Sequence, residues 1–140
     1  MKILAAVDGS ACSLTMLEML CDRLAWFHDP AITLIYVHPA LPYKRAVAWA
    51  GKDAVQKYYD EESEVALAPA RGVLTKRNIA FDVQLRVGDP AAEIVRAATE
   101  GHADVIVMGT RGHTALATLV MGSTTTKVIA TTRTPVLLLK

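Results

Sequence analysis

The chain has 140 residues, of which 52% are hydrophobic, and this length predicts a single domain over residues 1–140. Its 15 basic and 14 acidic residues leave a net charge of +1, and no long block of one sign occurs. This balance favours neither a nucleic acid nor an anionic membrane as a partner. The longest apolar run stays well under the roughly 18 residues that span a bilayer. The first apolar run meets Asp8 too soon for a signal peptide, so we expect a cytoplasmic protein.

The sequence contains two cysteines, Cys12 and Cys21, both in a segment with a helical pattern. A helix turns by about 900° over their spacing, which places the two thiols on opposite faces. We therefore expect no disulfide between them, and reduced thiols are typical of the cytosol. The pair also lacks the spacing of a zinc site.

Apolar runs alternate with helical patterns in the first part of the chain. Ile3–Val7 is a short continuous apolar run, which is typical of a buried strand. Ser10 is expected to cap a helix whose leucines recur on one face as far as Leu24, and the Asp-Pro pair that follows ends it. Ile32–Val37 is β-branched and aromatic, which predicts a second strand.

The middle of the chain is more polar. A loop is followed by a long helical pattern over roughly Val47–Arg77, where Pro69 and Gly72 are expected to kink or end the helix. Phe81–Val87 then alternates strictly between apolar and polar residues, as a half-exposed strand does.

The last part of the chain repeats the alternation of strand and helix. Asp89 followed by Pro90 predicts a helix start, because Asp caps and Pro suits the first helical position. Gly101 is expected to end this helix. Val105–Met108 and Val136–Leu139 are apolar runs that predict the last two strands.

Strands that alternate with helices indicate an α/β fold with a parallel sheet covered by helices on both faces. Right-handed crossovers, and the nearly wholly apolar first and fourth strands, predict an open five-stranded Rossmann-like sheet of order 3-2-1-4-5. Ligands of such sheets bind at the carboxyl ends of the strands that flank the reversal of order. Here those ends are the loop that begins at Asp8 and the segment that begins at Gly109.

A glycine-rich segment follows the fourth strand. It contains Gly109, Gly112 and Gly122, and Ser123 and Thr124 come next at the expected start of a helix. Glycine lets the backbone approach a ligand closely, and the first N–H groups of a helix favour a phosphate. The hydroxyl groups add donors, so the segment favours phosphate binding without a basic patch. The alternative is that the glycines form ordinary turns and that Ser123 only caps a helix.

Other phosphate-binding motifs are not found. The Walker pattern Gly-x-x-x-x-Gly-Lys-Ser/Thr does not occur, and Lys127 lies a helical turn beyond the last glycine. The dinucleotide pattern Gly-x-Gly-x-x-Gly does not follow the first strand either. The sequence therefore supports neither a Walker nucleotidase nor a standard dinucleotide site.

The spacing of the glycines resembles the signature Gly-x2-Gly-x9-Gly-Ser/Thr of the nucleotide-binding universal stress proteins. Further segments are similar to the family's first-strand loop, third-helix start and last two strands. They are Val7–Ser10, Gly88–Ala91, Ala103–Gly109 and Thr134–Leu137. The resemblance covers nearly the whole chain except about 39–77. Ala115 departs from the family, which often has glycine at that point of the nine-residue spacer.

This resemblance implies the adenine nucleotide α-hydrolase-like fold and a site for ATP, ADP or AMP, with Mg²⁺ or Mn²⁺ held mainly by the phosphates and by no protein ligand. Asp8 and the strand end at Met108 and Gly109 would hold the ribose. Val37 would pair with the adenine edge through its backbone. The base pocket, the first-strand loop and the phosphate site would add the remaining residues, which are Ala6, Val7, Ser10, Arg111, Gly112, His113, Gly122, Ser123 and Thr124. For Arg111 and His113, plain solvation of the loop is an equal alternative.

The resemblance implies a nucleotide-dependent binding or signalling module of the stress response. A related ATP pyrophosphatase or nucleotidyl transferase would carry Ser-Gly-Gly-x-x-Ser or His-x-Gly-His near the first strand, and the residues after Asp8 match neither. A response regulator would need an acidic cluster, whereas Asp8 stands alone; Asp8 could also serve only as a turn former. No catalytic constellation is evident, so hydrolysis would be slow or absent. A family member that binds no nucleotide and works as a dimer remains an alternative.

The final strand predicts a homodimer. In the order 3-2-1-4-5 it lies at an edge of the sheet, and Val136–Leu139 is apolar and uncharged. Such an edge favours pairing with another chain, and a two-fold axis would close the assembly. The resemblance implies the same dimer. The alternative is a monomer whose own long loop covers this edge.

Overall fold

The computed structural model describes residues 1–40, 51–110 and 121–140. The strands are β1 (Lys2–Ala6), β2 (Ala31–His38), β3 (Phe81–Val87), β4 (Val105–Gly109) and β5 (Val136–Leu139). The helices are α1 (Ala11–Cys21), α2 (Lys52–Lys76), α3 (Pro90–Glu100) and α4 (Ser123–Thr131), with a 3₁₀ turn at Leu24–Trp26. Within the three described ranges, no helix combines the length and the apolar character that crossing a bilayer requires.

The strands form one sheet of order β3-β2-β1-β4-β5, and every neighbouring pair is parallel. The predicted order is therefore confirmed. Its register places Ile3 of β1 between Ile32 of β2 and Val105 of β4. The order reverses at β1, because the chain adds β2 and β3 on one side of this strand and β4 and β5 on the other.

The core lies on both faces of the sheet. One cluster packs α1 and α2 against alternate strand residues such as Ile3, Leu34 and Val107. The other packs α3 and α4 against their neighbours in sequence, including Leu4 and Ile35. Strand residues that are buried on both faces explain the continuous apolar runs of β1 and β4.

Two helix starts follow the predicted capping. Ser10 precedes α1, and its hydroxyl accepts a hydrogen bond from the N–H of Ser13 at 3.2 Å. Asp89 precedes α3, and its carboxylate accepts one from the N–H of Ala92 at 3.0 Å. Both side chains satisfy an amide that has no partner within its helix.

The first helix is shorter than its leucine pattern predicts. It ends at Cys21, and Leu24 belongs to the 3₁₀ turn, where it still packs against the core. Cys12 and Cys21 both lie in α1, and both thiols are free.

The long helix α2 runs without a break to Lys76, so the expectation that Pro69 or Gly72 ends the helix was wrong. Pro69 has no N–H for the carbonyl of Val65 one turn earlier. Val65 is 74% exposed, so water can reach that carbonyl and lower the cost of the missing hydrogen bond. Residues 47–50 of the predicted helix lie outside the described residues.

Candidate functional site

A cavity of about 410 Å³ opens at the carboxyl ends of β1, β2 and β4, where the strand order reverses. This volume lies within the range of small-molecule sites, which is about 300–1,000 Å³. Both helical layers and the ends of the central strands contribute to its walls. The lining residues are Ala6, Val7, Asp8, Ser13, Ile35, Tyr36, Val37, Pro39, Pro90, Ile94, Met108, Gly109, Gly122, Ser123, Thr124 and Thr125.

One side of the cavity is apolar. Ile35, Val37 and Met108 point from the sheet toward the α3 layer and belong to the core cluster on that face. Ile94 and Pro90 of α3 line the cavity as well. These side chains form an apolar slot that suits a flat heterocycle.

The backbone of Val37 is directed toward this slot. The carbonyl of Ile35 accepts a hydrogen bond from the N–H of Val7 at 3.0 Å, so the peptide groups of Ile35 face β1. The carbonyl of His38 accepts one from Gly88 at 3.0 Å and so faces the β3 side. Backbone direction alternates along a strand, and Val37 therefore faces the β1 side, beyond the point where β1 ends. It presents an N–H and a carbonyl there, which match the donor and acceptor edge of a base.

The loop after β1 is held in a fixed turn. A carboxylate oxygen of Asp8 accepts a hydrogen bond from the N–H of Ser10 at 3.0 Å, and the N–H of Asp8 reaches the hydroxyl of Ser13 at 3.4 Å. Gly9 has a φ of 78°, which glycine adopts without strain, and a Cβ there would lie 3.3 Å from Ala66 of α2. Helix α2 thus packs directly on the turn that presents Asp8 to the cavity.

The opposite side of the cavity is the N-terminus of α4. Gly122 is the residue before the helix and has no side chain with which to cap it, so the reading of Ser123 as a cap was wrong. The N–H of Gly122 donates to the carbonyl of Thr110 at 2.9 Å, and the hydroxyl of Thr125 donates to the carbonyl of Gly109 at 3.1 Å. These two bonds fix the helix start to the end of β4. The amides of the first turn then face the cavity with the hydroxyls of Ser123 and Thr124.

Most of the predicted binding residues line this one cavity. They are Ala6, Val7, Asp8, Val37, Met108, Gly109, Gly122, Ser123 and Thr124. Ser10 does not line it, because its hydroxyl and carbonyl serve the first turn of α1. The predictions for Arg111, Gly112 and His113 fall outside the described residues.

Several lining residues were not found from the sequence. Ile35, Pro90 and Ile94 read as core or helix-start residues, and only the three-dimensional packing shows that they also border the cavity. Ser13 and Thr125 lie one position or more inside helices whose starts the sequence does indicate. Tyr36 precedes Val37 in β2 and Pro39 follows the last residue of that strand, and neither carried a signal in the sequence.

Tyr36 lies at the edge of the cavity, in a negatively charged environment. Partial burial raises the pKa of its phenol, and the carboxylates of Glu62 and Asp8 and the phenol of Tyr58 raise the pKa further. Among the described residues, this end of the cavity carries the carboxylate of Asp8, whereas the end at α4 carries the positive partial charge of a helix N-terminus.

An ion pair outside the cavity connects helices α3 and α4. The ammonium of Lys127 on α4 lies 3.5 Å from the carboxylate of Asp89 at the start of α3. The hydrogen bond from Ala92 and the charge of Lys127 both lower the pKa of Asp89. Lys127 thus has an acidic partner on the outer surface. Among the residues that the structure describes, no three His, Cys, Asp or Glu side chains lie together as a protein metal site would need.

A model of the universal stress protein family matches residues 1–140. The chain belongs to the universal stress protein family. It is 31% identical over 139 residues to universal stress protein MJ0531 of Methanocaldococcus jannaschii, in an alignment that covers 99% of this chain and 81% of that relative.

Solved structures show the same fold. Hypothetical protein MJ0577 has a TM-score of 0.77 at 26% identity and covers 99% of this chain and 94% of its own. The universal stress protein of Archaeoglobus fulgidus in complex with dAMP has a TM-score of 0.70 at 20% identity, with 100% and 98% covered. At 20% identity, the similarity to the Archaeoglobus protein shows a shared fold only. The bound dAMP is an observation on that protein.

Proposed function

We propose that the cavity binds adenine nucleotides, including ATP. We also propose that the chain acts in the cytoplasm as a nucleotide-dependent binding or signalling module of the stress response. The observation that carries this proposal is the joining of an apolar slot and a helix N-terminus in one cavity. The dAMP complex of the Archaeoglobus protein, which shares the fold, supports the choice of adenine.

The base would enter the slot between Met108 and Ile94, with its edge toward the backbone of Val37. An adenine edge carries both a donor and an acceptor, and the N–H and carbonyl of Val37 complement them. The sugar would then lie over the end of β1, within reach of Asp8. A carboxylate there would accept hydrogen bonds from ribose hydroxyls.

The phosphates would lie at the start of α4. Free helix amides and the hydroxyls of Ser123 and Thr124 are suitable donors for phosphate oxygens. Gly122 leaves space beside them. We expect Mg²⁺ or Mn²⁺ to be held by the phosphates and water, because the described residues form no metal cluster of their own.

Isothermal titration with ATP and Mg²⁺ tests the proposal. Gly122→Val should abolish binding by filling the space of the phosphates. Gly122 has a φ of −59°, which valine adopts without strain, so backbone strain at this position would not explain a loss of binding. Gly72→Val is the matched control, since a Cβ at Gly72 meets no atom within 4 Å and lies on α2. An absence of heat and of any thermal shift with wild-type protein at millimolar ATP would refute the proposal.

We expect slow or absent turnover, because none of the described residues that line the phosphate end is a general base. ATP hydrolysis above about one per second, an ordinary enzyme rate, that is lost in Asp8→Ala would contradict this expectation. A chain that binds no nucleotide and acts only as a dimer is the second candidate. In that case isothermal titration with ATP would show no heat, and the Gly122→Val variant would remain a dimer.

We also propose a homodimer formed by the β5 edges of two chains. The carbonyl of Pro135 accepts a hydrogen bond from the N–H of Ile106, so Pro135 and Leu137 face β4, whereas the N–H of Leu138 faces the free edge. Leu138→Pro therefore removes an outward donor and spares the pairing with β4. Sedimentation equilibrium should show a wild-type dimer and a folded Leu138→Pro monomer. A wild-type monomer at micromolar concentration, or a folded dimeric variant, would refute the interface.

A further inference from the structure

A second carboxylate, that of Glu62, belongs to a residue that does not line the cavity. Glu62 lies on α2 at the same helical face as Tyr58 and Ala66, one turn from each. Ala66 is the residue against which Gly9 packs, so this face of α2 lies on the turn that presents Asp8. Glu62 is therefore one helical turn from the loop at the sugar end.

Three ring contacts connect α2 with a residue that lines the cavity. The ring of His38, which is buried at the end of β2, lies 5.6 Å from the ring of Tyr58 and 4.8 Å from that of Tyr59. Tyr36, which lines the cavity, contacts His38 edge-on at 6.4 Å between ring centroids. The effect of Glu62 on the Tyr36 phenol agrees with this geometry. On this face of α2, Glu62 lies between Tyr58, which contacts His38, and Ala66, which contacts Gly9.

We propose that Glu62 is a specificity-determining residue that makes the cavity select against nucleotides phosphorylated on a sugar hydroxyl. This inference rests on the proposed nucleotide site. With the base at Val37 and the 5′-phosphates at α4, the sugar hydroxyls lie on the side of Asp8 and Tyr36. A hydroxyl group can donate to a carboxylate there, whereas a phosphate monoester would bring up to two negative charges toward Asp8 and Glu62.

The test compares two isomers, ADP and adenosine 3′,5′-bisphosphate, which differ only in where the second phosphate is attached. Kd values are measured by isothermal titration at low salt for wild type, Glu62→Gln and Glu61→Gln. Glu61 is the matched control, because it is exposed on the same helix and pairs with Lys57 at 3.6 Å. Wild type should prefer ADP. Glu62→Gln should narrow that preference by at least about twofold, because the substitution removes one negative charge that repels a doubly charged phosphate through a water-like dielectric.

Each outcome is decisive. A preference for ADP that narrows in Glu62→Gln, persists in Glu61→Gln and shrinks at high salt supports the inference, because exposed charges are screened. An equal preference in wild type and Glu62→Gln overturns it while the nucleotide site stands. If wild type binds neither isomer, the proposed function fails as well. A separate readout needs no ligand: the pKa of Tyr36, followed by tyrosine ring NMR, should fall in Glu62→Gln, and an unchanged pKa would overturn the geometry.

Discussion

The hydrogen bond between Thr125 and Gly109 should be a main support of the phosphate end. Thr125 is 4% exposed, and its hydroxyl donates to the Gly109 carbonyl at 3.1 Å, so Thr125→Val removes a buried donor and keeps the side-chain shape. The carbonyl then loses its partner inside the protein, which costs about 1–3 kcal/mol. Urea denaturation should show this decrease in the free energy of unfolding with an unchanged m-value. The affinity for ATP should fall too, because the bond ties the start of α4 to β4.

Thr126→Val is the matched control for this prediction. The hydroxyl of Thr126 donates to the carbonyl of Gly122 at 3.0 Å, one turn earlier in an exposed part of the same helix. Water can replace that bond, so the substitution should change stability by less than about 0.5 kcal/mol. The reasoning would be refuted if the two variants were equally stable, or if Thr126→Val lowered ATP affinity as much as Thr125→Val.

Three further predictions concern the surroundings of the cavity. Gly9→Ala should destabilise the protein by about 1–2 kcal/mol, because residue 9 has a φ of 78°. Gly72→Ala should stabilise helix α2 by about 0.5–1 kcal/mol. Urea denaturation in which both substitutions change the free energy of unfolding in the same direction would contradict this prediction. The pKa of Asp89 is lowered in the folded protein, so its charged form stabilises the fold at pH values above the ordinary carboxylate pKa. This stabilisation is lost as the pH falls through the pKa of the folded state. The difference in Tm between wild type and Asp89→Asn should therefore become smaller in acid, and a constant difference would contradict a lowered pKa of Asp89. Lys127→Met should change the Kd for ATP by less than about fivefold, because Lys127 pairs with Asp89 on the outer surface and exposed ion pairs are weak. A larger loss of ATP affinity would indicate that Lys127 is a phosphate ligand.

The sheet could be predicted from the sequence because its signals are local. Phe81–Val87 alternates between apolar and polar residues, and the strand has these bounds. The continuous apolar runs of β1 and β4 indicated central strands, which together with right-handed crossovers leave few possible orders. The uninterrupted α2 could not be predicted, because Pro69 and Gly72 are helix breakers by propensity. Tertiary packing outweighs that propensity, since α2 buries Leu67, Ala70 and Leu74 against the core.

The candidate site could be predicted in part, for a different reason. The glycines, Asp8 and the residues of the strand ends are identified by the family's spacing and by the position of the strand reversal. The walls of the cavity depend instead on which helix packs over which strand end. Ile94 lies on the buried face of α3 with no sequence feature that separates it from other core residues. Glu62 lies one helical turn from Ala66, which contacts Gly9, and the sequence alone does not indicate that α2 packs on this turn.

The cavity lies between the two helical layers, so a bound ligand can contact both of them. Asp8 and Tyr36 belong to the side covered by α1 and α2, whereas Ile94 and Ser123 belong to the side covered by α3 and α4. A nucleotide that contacts both sides would hold the layers together, and it would bind the folded state alone. At a free concentration 100 times its Kd it would then add about 2.7 kcal/mol to stability. Because that stabilisation depends on both layers, Asp8→Ala and Gly122→Val should each remove the rise in Tm that ATP produces, although the two residues lie at opposite ends of the cavity.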